Sequence, residues 1–334
     1  MLDRNIAILV DKAVADQRLS PAEIKTLYAV DERSPEAFYL QWGAYQIARQ
    51  ASGGRALIYA QIGIDANSCP GNCQYCSFAA DNPRASRGQT ELPLDAILRY
   101  CAAFAAGGVH LISLMTTASY PTSKLLTVVE AAREVLGEHR GGTEIVLMIN
   151  TGDFGLEEAT AYRAAGADAA YHALRLGEGT ITAIPESRRR QTIAAIQRSG
   201  LKLMSGVEPI HAGLNAEELI SRMIEVASWP QICSGLCPLR QVDGTAMAGT
   251  PLLGTLRYQQ LKALFRLIAG RRIAYGSYNT AWCNIGTNPR DNQMFPGAEA
   301  IAKDVAARRK ELEADGWLAG YNLRPNPLTI TPAP

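Results

Sequence analysis

Residues 93–115 read PLDAILRYCAAFAAGGVHLISLM. Pro93 opens an amphipathic helix, Gly107 and Gly108 stop it, and the apolar run from Val109 to Met115 follows as a buried strand. The same helix–glycine–strand unit recurs along the chain. Helices over 121–136, 157–165, 186–199 and 255–269 are closed by Gly137, Gly166, Gly200 and Gly270, and Asn215 caps another over 216–227. Strands are expected at 60–64, 109–115, 144–149, 169–174, 201–207, within 231–239 and at 272–278.

Nearly continuous apolar strands suit a parallel sheet covered on both faces. Strand–helix–strand units with right-handed crossovers make such a sheet, and their number points to an α/β fold, a (β/α) TIM-type barrel that is full or nearly complete. After Tyr278 there is no room for a further helix and an eighth strand before the helix that follows Pro296. Residues 279–291 therefore read as a loop folded over the mouth, with the Trp282–Asp291 stretch as a lid or a plug. Residues 1–52 form an N-terminal helical extension, in which Ser20-Pro21-Ala22-Glu23 is a capping box. The barrel occupies 53–296, and 297–334 hold a C-terminal helix and an extended tail.

Composition narrows the function classes. The chain has 334 residues, 47% hydrophobic, with 33 Lys and Arg against 32 Asp and Glu. That balance gives no bulk attraction to nucleic acid or anionic membrane, and no apolar run reaches the length of a span. The start, Met1-Leu2-Asp3-Arg4-Asn5, does not read as a signal peptide. Seven cysteines, an odd number, argue for a reducing compartment, so a cytoplasmic protein is expected.

Chemistry concentrates in residues 68–78, SCPGNCQYCSF, directly after the first strand. Cys69, Cys73 and Cys76 stand on one turn-rich loop that can wrap three thiolates around a soft metal centre. Structural zinc would need a fourth ligand, for which the nearest downstream residues are Cys101 and His110. The other strand ends carry polar residues on one rim, the face where barrel enzymes place their sites.

The C-x3-C-x2-C spacing with an aromatic before the last cysteine resembles the cluster loop of the radical S-adenosylmethionine (SAM) enzymes. Tyr171-His172, the 202–207 strand, Gly213-Leu214-Asn215 and the Gly249-Thr250-Pro251-Leu252 stretch look like the biotin synthase-like group within that family. The resemblance implies a [4Fe–4S] cluster held by Cys69, Cys73 and Cys76, its fourth iron left for the amino and carboxylate groups of SAM. It implies reductive cleavage of SAM to a 5′-deoxyadenosyl radical that takes a hydrogen atom from substrate, with an electron donor such as a flavodoxin or ferredoxin. Tyr75 matches the aromatic whose backbone meets adenine. Thr116, Thr117 and Ala118 stand where relatives grip the SAM amino group, and Arg189, flanked by Arg188 and Arg190, where relatives pair the methionine carboxylate. Glu178 is the candidate for the ribose hydroxyls, with Arg175 able to exchange roles with it, and Val207 and Ile210 would flank adenine.

The substrate is not written in the sequence. Asn150, Asp153, Glu208, His211, Arg240, Tyr278, Asn279 and Arg290 suit a small polar molecule such as an amino acid or cofactor precursor, for a rearrangement, lyase or cofactor-biosynthesis reaction. Biotin synthase carries a second cluster on cysteines of its second, third and fifth strands, where this chain has Met115, Met148 and Met204, so sulfur insertion by that route is not expected. Cys233, Cys237 and Cys283 read as core residues, as an auxiliary cluster, or as a thiol that works on substrate. The alternatives to an enzyme are an iron–sulfur protein whose cluster is only structural and a scaffold role.

Overall fold

The computed structural model describes residues 2–83, 91–138, 145–286 and 297–317. Three helices come first, α1 (Arg4–Val14), α2 (Pro21–Tyr28) and α3 (Pro35–Ser52). Then follow β1 (Leu57–Gly63), α4 (Leu94–Gly107), β2 (Leu111–Met115), α5 (Thr122–Glu138), β3 (Val146–Asn150), α6 (Leu156–Ala164), β4 (Ala169–Tyr171) and α7 (Glu186–Ser199). The chain goes on through β5 (Lys202–Ile210), α8 (Ala216–Ser228), β6 (Cys233–Pro238), α9 (Thr255–Ala269), β7 (Tyr275–Gly276), β8 (Thr280–Gly286) and α10 (Ala298–Ala314). Local chemistry sets the boundaries. The Ser20 hydroxyl accepts from the Glu23 N–H while the Glu23 carboxylate accepts from the Ser20 N–H, which completes the capping box ahead of α2.

The strands run in the order β7-β6-β5-β4-β3-β2-β1-β8, every pair parallel, as a nearly closed eight-stranded barrel. Side chains alternate between two environments. Leu57, Leu111, Val146, Met148, Ala169, Met204, Cys233 and Tyr275 face inward and fill the lower lumen. Ile58, Ile62, Ile112, Leu114, Leu147 and Ile149 face outward beneath the helices. Val207, Ile210 and Leu236 do the same on the other side, beneath α8, α9 and the N-terminal helices.

The end of the barrel departs from the sequence reading in two ways. The seventh strand is only Tyr275–Gly276, and Thr280–Gly286, expected as loop, is an eighth strand paired with β1 along its whole length. No helix separates the two. β7 pairs with β6, and three residues later the chain changes partner to β1. Gly276 is needed at this switch, because a Cβ there would collide with the Ser234 carbonyl oxygen. The β8 register sets Thr280, Trp282 and Asn284 beside the inward residues Leu57, Tyr59 and Gln61. Trp282 and Asn284 thus belong to the barrel wall, while Arg290 and the rest of the expected lid lie outside the described residues.

Asn279 holds the switch together. It is fully buried, its Nδ2 donates to the carbonyls of Arg55 (3.1 Å) and Ala274 (3.0 Å), and its Oδ1 accepts from the Gly276 N–H (3.1 Å). Its own carbonyl accepts from the Leu57 N–H at 2.9 Å, at the start of β1. Asn279 and its neighbour Tyr278 therefore sit at the N-terminal face of the barrel, not at the rim where a substrate was expected. Asn279→Ala strands the buried Gly276 N–H and two half-buried carbonyls and should cost about 2–4 kcal/mol in urea unfolding; a loss under about 1 kcal/mol would remove Asn279 from this role.

His110, 2% exposed, enters β2 from the same face, and its Nδ1 accepts from the Ile58 N–H at 2.9 Å. Burial, with Arg309 nearby, brings its pKa down from 6.5 to about 3. Between those values the unfolded chain binds a proton that the folded chain refuses, so stability falls as pH drops through that window. From pH 7 to pH 5 this group alone should cost about 2 kcal/mol. His110→Asn, which can keep an acceptor, should lose correspondingly less over that interval; parallel losses in both proteins would contradict a neutral buried His110.

Candidate active site at the barrel mouth

The strands are parallel, so all their C-terminal ends open on one face, and the three cysteines follow β1 onto it. Their loop is fixed by backbone. The Cys69 N–H donates to the Phe78 carbonyl (2.7 Å), the Cys76 N–H to that of Cys73 (2.9 Å) and the Ala80 N–H to that of Cys69 (3.1 Å). The loop also docks across the mouth. The Gln74 N–H donates to Ile181 O (2.9 Å), the Ala183 N–H to Gly71 O (2.9 Å) and the Met247 N–H to Gln74 O (2.9 Å). The segments after β4 and β6 thus hold it from two sides.

Burial pushes the Cys73 thiol up to about 11, Arg175 draws it back down, and Cys76 and Cys69 raise it further. Three thiols on one docked loop, with the Arg175 guanidinium close to Cys73, are a donor set that fits a cationic, thiolate-binding centre. Among the described residues no three of His, Cys, Asp and Glu are drawn together as a single-ion site. Each thiolate of a cubane cluster takes a different iron, so its sulfurs need not converge as the ligands of one ion do. Cys101 and His110 are no fourth ligand here: Cys101 is buried in the outer core under α4, and His110 enters at the opposite face.

Behind the cysteine loop lies a network of buried charge. Arg189 is the buried member of its triplet, 4% exposed, while Arg190 pairs outside with Glu186 and Glu225. Its Nη1 lies 3.5 Å from Asp153 Oδ2 and 3.2 Å from His172 Nε2, and its Nε 3.4 Å from Glu178 Oε1. His172 Nε2 is also 2.9 Å from Asp153 Oδ1, which accepts from the Thr192 hydroxyl at 3.1 Å. Burial drives His172 down to about 4 against the opposing hydrogen bond to Asp153, so the imidazole is neutral near pH 7. Burial raises Asp153, but His172, Arg189 and Thr192 together hold it below the usual carboxylate range.

Arg175 is the second guanidinium. Its Nε lies 3.2 Å from Glu208 Oε1 and its Nη1 3.9 Å from Glu178 Oε2. Neither nitrogen completes a hydrogen bond among the described residues, and neither does the buried Tyr75 hydroxyl. Tyr171 donates to Glu208 Oε2 at 2.9 Å. Arg175, Glu208, Cys73 and Glu178 are all close enough to act on the Tyr75 phenol.

Several expected residues stand elsewhere or are already engaged. Glu178 accepts from the Arg175 N–H (3.0 Å) and the Thr182 hydroxyl (2.7 Å) and faces both guanidiniums, so its carboxylate is taken up in place and is not free for ribose hydroxyls. The Thr117 N–H and hydroxyl both donate to Asp65, at 2.7 and 2.6 Å, and the Thr116 hydroxyl donates to that of Thr151 at 2.8 Å. Val207 and Ile210 lie in the outer core, because Glu208 turns inward and alternation sends Val207 the other way. His211 lines a separate pocket of about 390 Å³ between α2, α8 and α9. Asn150 ends β3 facing inward, and Arg240 is exposed beside Cys237. The three remaining cysteines cannot share a cluster: Cys233 is in the lower lumen, Cys237 four residues above it, and Cys283 points outward, with its thiol on Asp304.

The sequence reading missed Asp65, and it did not single out Tyr171 as a residue of the site. Asp65 is 1% exposed at the end of β1 and organises the segment after β2. An acid in the apolar run Ile62-Gly63-Ile64-Asp65 was a usable signal, since a buried carboxylate demands donors.

Comparison with known proteins agrees with this picture. The model of the Radical SAM superfamily matches residues 64–221, a span that contains the cysteine loop and the charged network. Biotin synthase from Nocardioides sp. is 24% identical over 266 residues, covering 78% of this chain and 69% of its own. Biotin synthase from Geobacillus kaustophilus is 24% identical over 271 residues, 78% of each chain. Among solved structures, methylornithine synthase (PylB) superposes with a TM-score of 0.70 at 15% identity, over 92% of this chain and 99% of that one. HydG, a maturase of the [FeFe]-hydrogenase, superposes at 0.66 and 13% identity, over 91% and 66%. No helix among the described residues is long and apolar enough to cross a membrane. Residues 64–221, with the cysteine loop inside them, thus match the radical SAM superfamily, and the chain is an enzyme similar to biotin synthase.

Proposed function

We propose that this enzyme reductively cleaves SAM and uses the resulting radical to take a hydrogen atom from a small polar substrate in the barrel lumen. The observation that carries the reading is the juxtaposition of three thiols on a docked loop with a buried guanidinium, Arg175, whose donors are incompletely used. Cys69, Cys73 and Cys76 would hold a [4Fe–4S] cluster, which with SAM bound supplies the electron and the 5′-deoxyadenosyl radical. The chain's own role is to bind, orient and exclude water. Arg175 and Arg189 present positive charge to a carboxylate, and Glu178 fixes both guanidiniums in place. The lumen, lined by Tyr59, Asn150, Tyr171, Glu208 and Trp282, receives the substrate, and Tyr59 and Trp282 stack at 6.3 Å between ring centroids. A reductant of the flavodoxin or ferredoxin class completes the electron supply.

Anaerobic reconstitution should load iron and sulfide, with SAM cleaved to methionine and 5′-deoxyadenosine on reduction. The Cys69→Ala, Cys73→Ala, Cys76→Ala triple variant should do neither. Four irons per chain in that variant, or a loaded wild type that leaves SAM intact, would overturn the proposal.

The two guanidiniums separate in experiment. Arg175→Gln should weaken SAM binding to the loaded protein by roughly 1.5–3 kcal/mol in calorimetry, the range for hydrogen bonds to charged groups. Both variants should lower stability by about 3–5 kcal/mol, Arg189→Gln because Glu178 and Asp153 lose a buried partner and Arg175→Gln because Glu208 loses its cation, so it is SAM affinity that tells them apart. Unchanged affinity in Arg175→Gln would leave the carboxylate to Arg189 alone.

A further inference from the structure

Cys237 is the one of the three late cysteines that faces an open space. It ends β6 on the inward register, and its thiol is open to solvent although the barrel wall surrounds it. The thiol lies beside the Glu208 carboxylate, which faces it across the β5–β6 register. A Cβ on Gly206 would lie 3.7 Å from the Tyr171 hydroxyl and 3.9 Å from the Cys237 sulfur, so the missing side chain leaves a notch between these two groups. Two further hydroxyls mark the same lumen as built for an occupant. One is the buried Tyr75 oxygen, in the field of Glu208 and Arg175, and the other belongs to Ser113, wholly buried on the inward register of β2; neither has a hydrogen-bond partner among the described residues.

Resting on the function proposed above, we propose that Cys237 is a catalytic residue that gives a hydrogen atom to the substrate radical. The chemistry favours this over the other uses of a thiol. Nucleophilic attack and metal ligation need the thiolate. Here enclosure by the barrel first, and then the neighbouring Glu208 carboxylate, raise the thiol far above its ordinary range. The S–H form persists, and that form is the hydrogen-atom donor, since an S–H bond is weaker than a C–H bond. The substrate carbon radical takes the hydrogen atom, a C–H bond forms, the S–H bond breaks and a thiyl radical remains. One electron from the same reductant class that serves the cluster, with one solvent proton, restores the thiol. The reaction class implied is replacement of a substrate hydrogen by one from solvent, with SAM consumed. Glu208 is a positioning residue that keeps the thiol protonated and aimed inward.

The test needs no substrate. The loaded enzyme is reduced with titanium(III) citrate in D2O, without added thiol, and the deuterium content per 5′-deoxyadenosine is read by mass spectrometry. Cys237 S–D should deliver deuterium in the wild type, and the content should fall several-fold in Cys237→Ser, whose O–D bond is too strong to donate. Equal deuterium content in the two proteins would overturn the assignment. Absence of 5′-deoxyadenosine from the wild type would instead overturn the function on which it rests. A second readout uses the cluster-free chain and maleimide. Peptide mapping should find Cys237 modified at alkaline pH while Cys101, Cys233 and Cys283 stay unmodified, and Glu208→Gln should speed the Cys237 reaction several-fold at fixed pH. A Cys237 as protected as those three, or one indifferent to Glu208, would refute its place in the lumen.

Discussion

An ionised carboxylate such as Glu208 cannot remain in a barrel lumen without a cation, and Arg175 supplies it at 3.2 Å. Removing two charges from water costs several kcal/mol each, and only close geometry with further hydrogen bonds repays it. The rest of the mouth is arranged around that requirement. Tyr171 gives Glu208 another donor, Glu178 spans Arg175 and Arg189, and Asp153 with His172 completes the shell of Arg189. These residues come from β4, β5, α7 and the segments that follow β3 and β4, so the pairs also tie successive strand ends into one rim.

The cysteine loop gains its shape from that rim. It has no regular secondary structure, yet its backbone is anchored on both flanks by residues 181–183 and by Met247. Its path across the mouth is thus set by main-chain hydrogen bonds to the segments on either side. Asp65 does similar work at the adjacent strand end, using both carboxylate oxygens to hold Thr117. Gly152 allows the segments after β2 and β3 to touch, because a Cβ there would meet the Ala118 carbonyl oxygen at 2.5 Å.

Much of this was legible in the sequence, for physical reasons. Units such as 93–115 declare themselves because helix periodicity, a glycine stop and an apolar run coincide. The strand Thr280–Gly286 did not, because Thr280 and Asn284 break up its apolar run and it lacks the helix that precedes the other strands. Tyr278 and Asn279 were misassigned to the rim as a direct result: they precede a strand that had not been seen. Val207 was read by position and not by parity, although an inward Glu208 already implies an outward Val207, and Ile210 is turned outward by the shift of the β5–β6 register between Val207 and Ile210. The choice among Arg188, Arg189 and Arg190 depends on which side of α7 meets the barrel, and only packing reveals that. Cys237 was recognised as a thiol of open purpose, but its direction required the β6 register.

The missing helix between β7 and β8 has a consequence for how the chain is made. The outer surface near that seam is supplied instead by the N-terminal helices. Packing of α3 on α9 and β7 joins the two ends of the barrel, and the Arg257 guanidinium donates to the Tyr28 carbonyl at 2.9 Å across a separation of 229 residues. A ribosome delivers the first partner of each such contact long before the second. The apolar faces of α1 and α3 must therefore stay uncovered, or be shielded by a chaperone, through most of synthesis. Final closure of the barrel awaits β8, made after α9, so the helices that precede the first strand become some of the last elements to find their place.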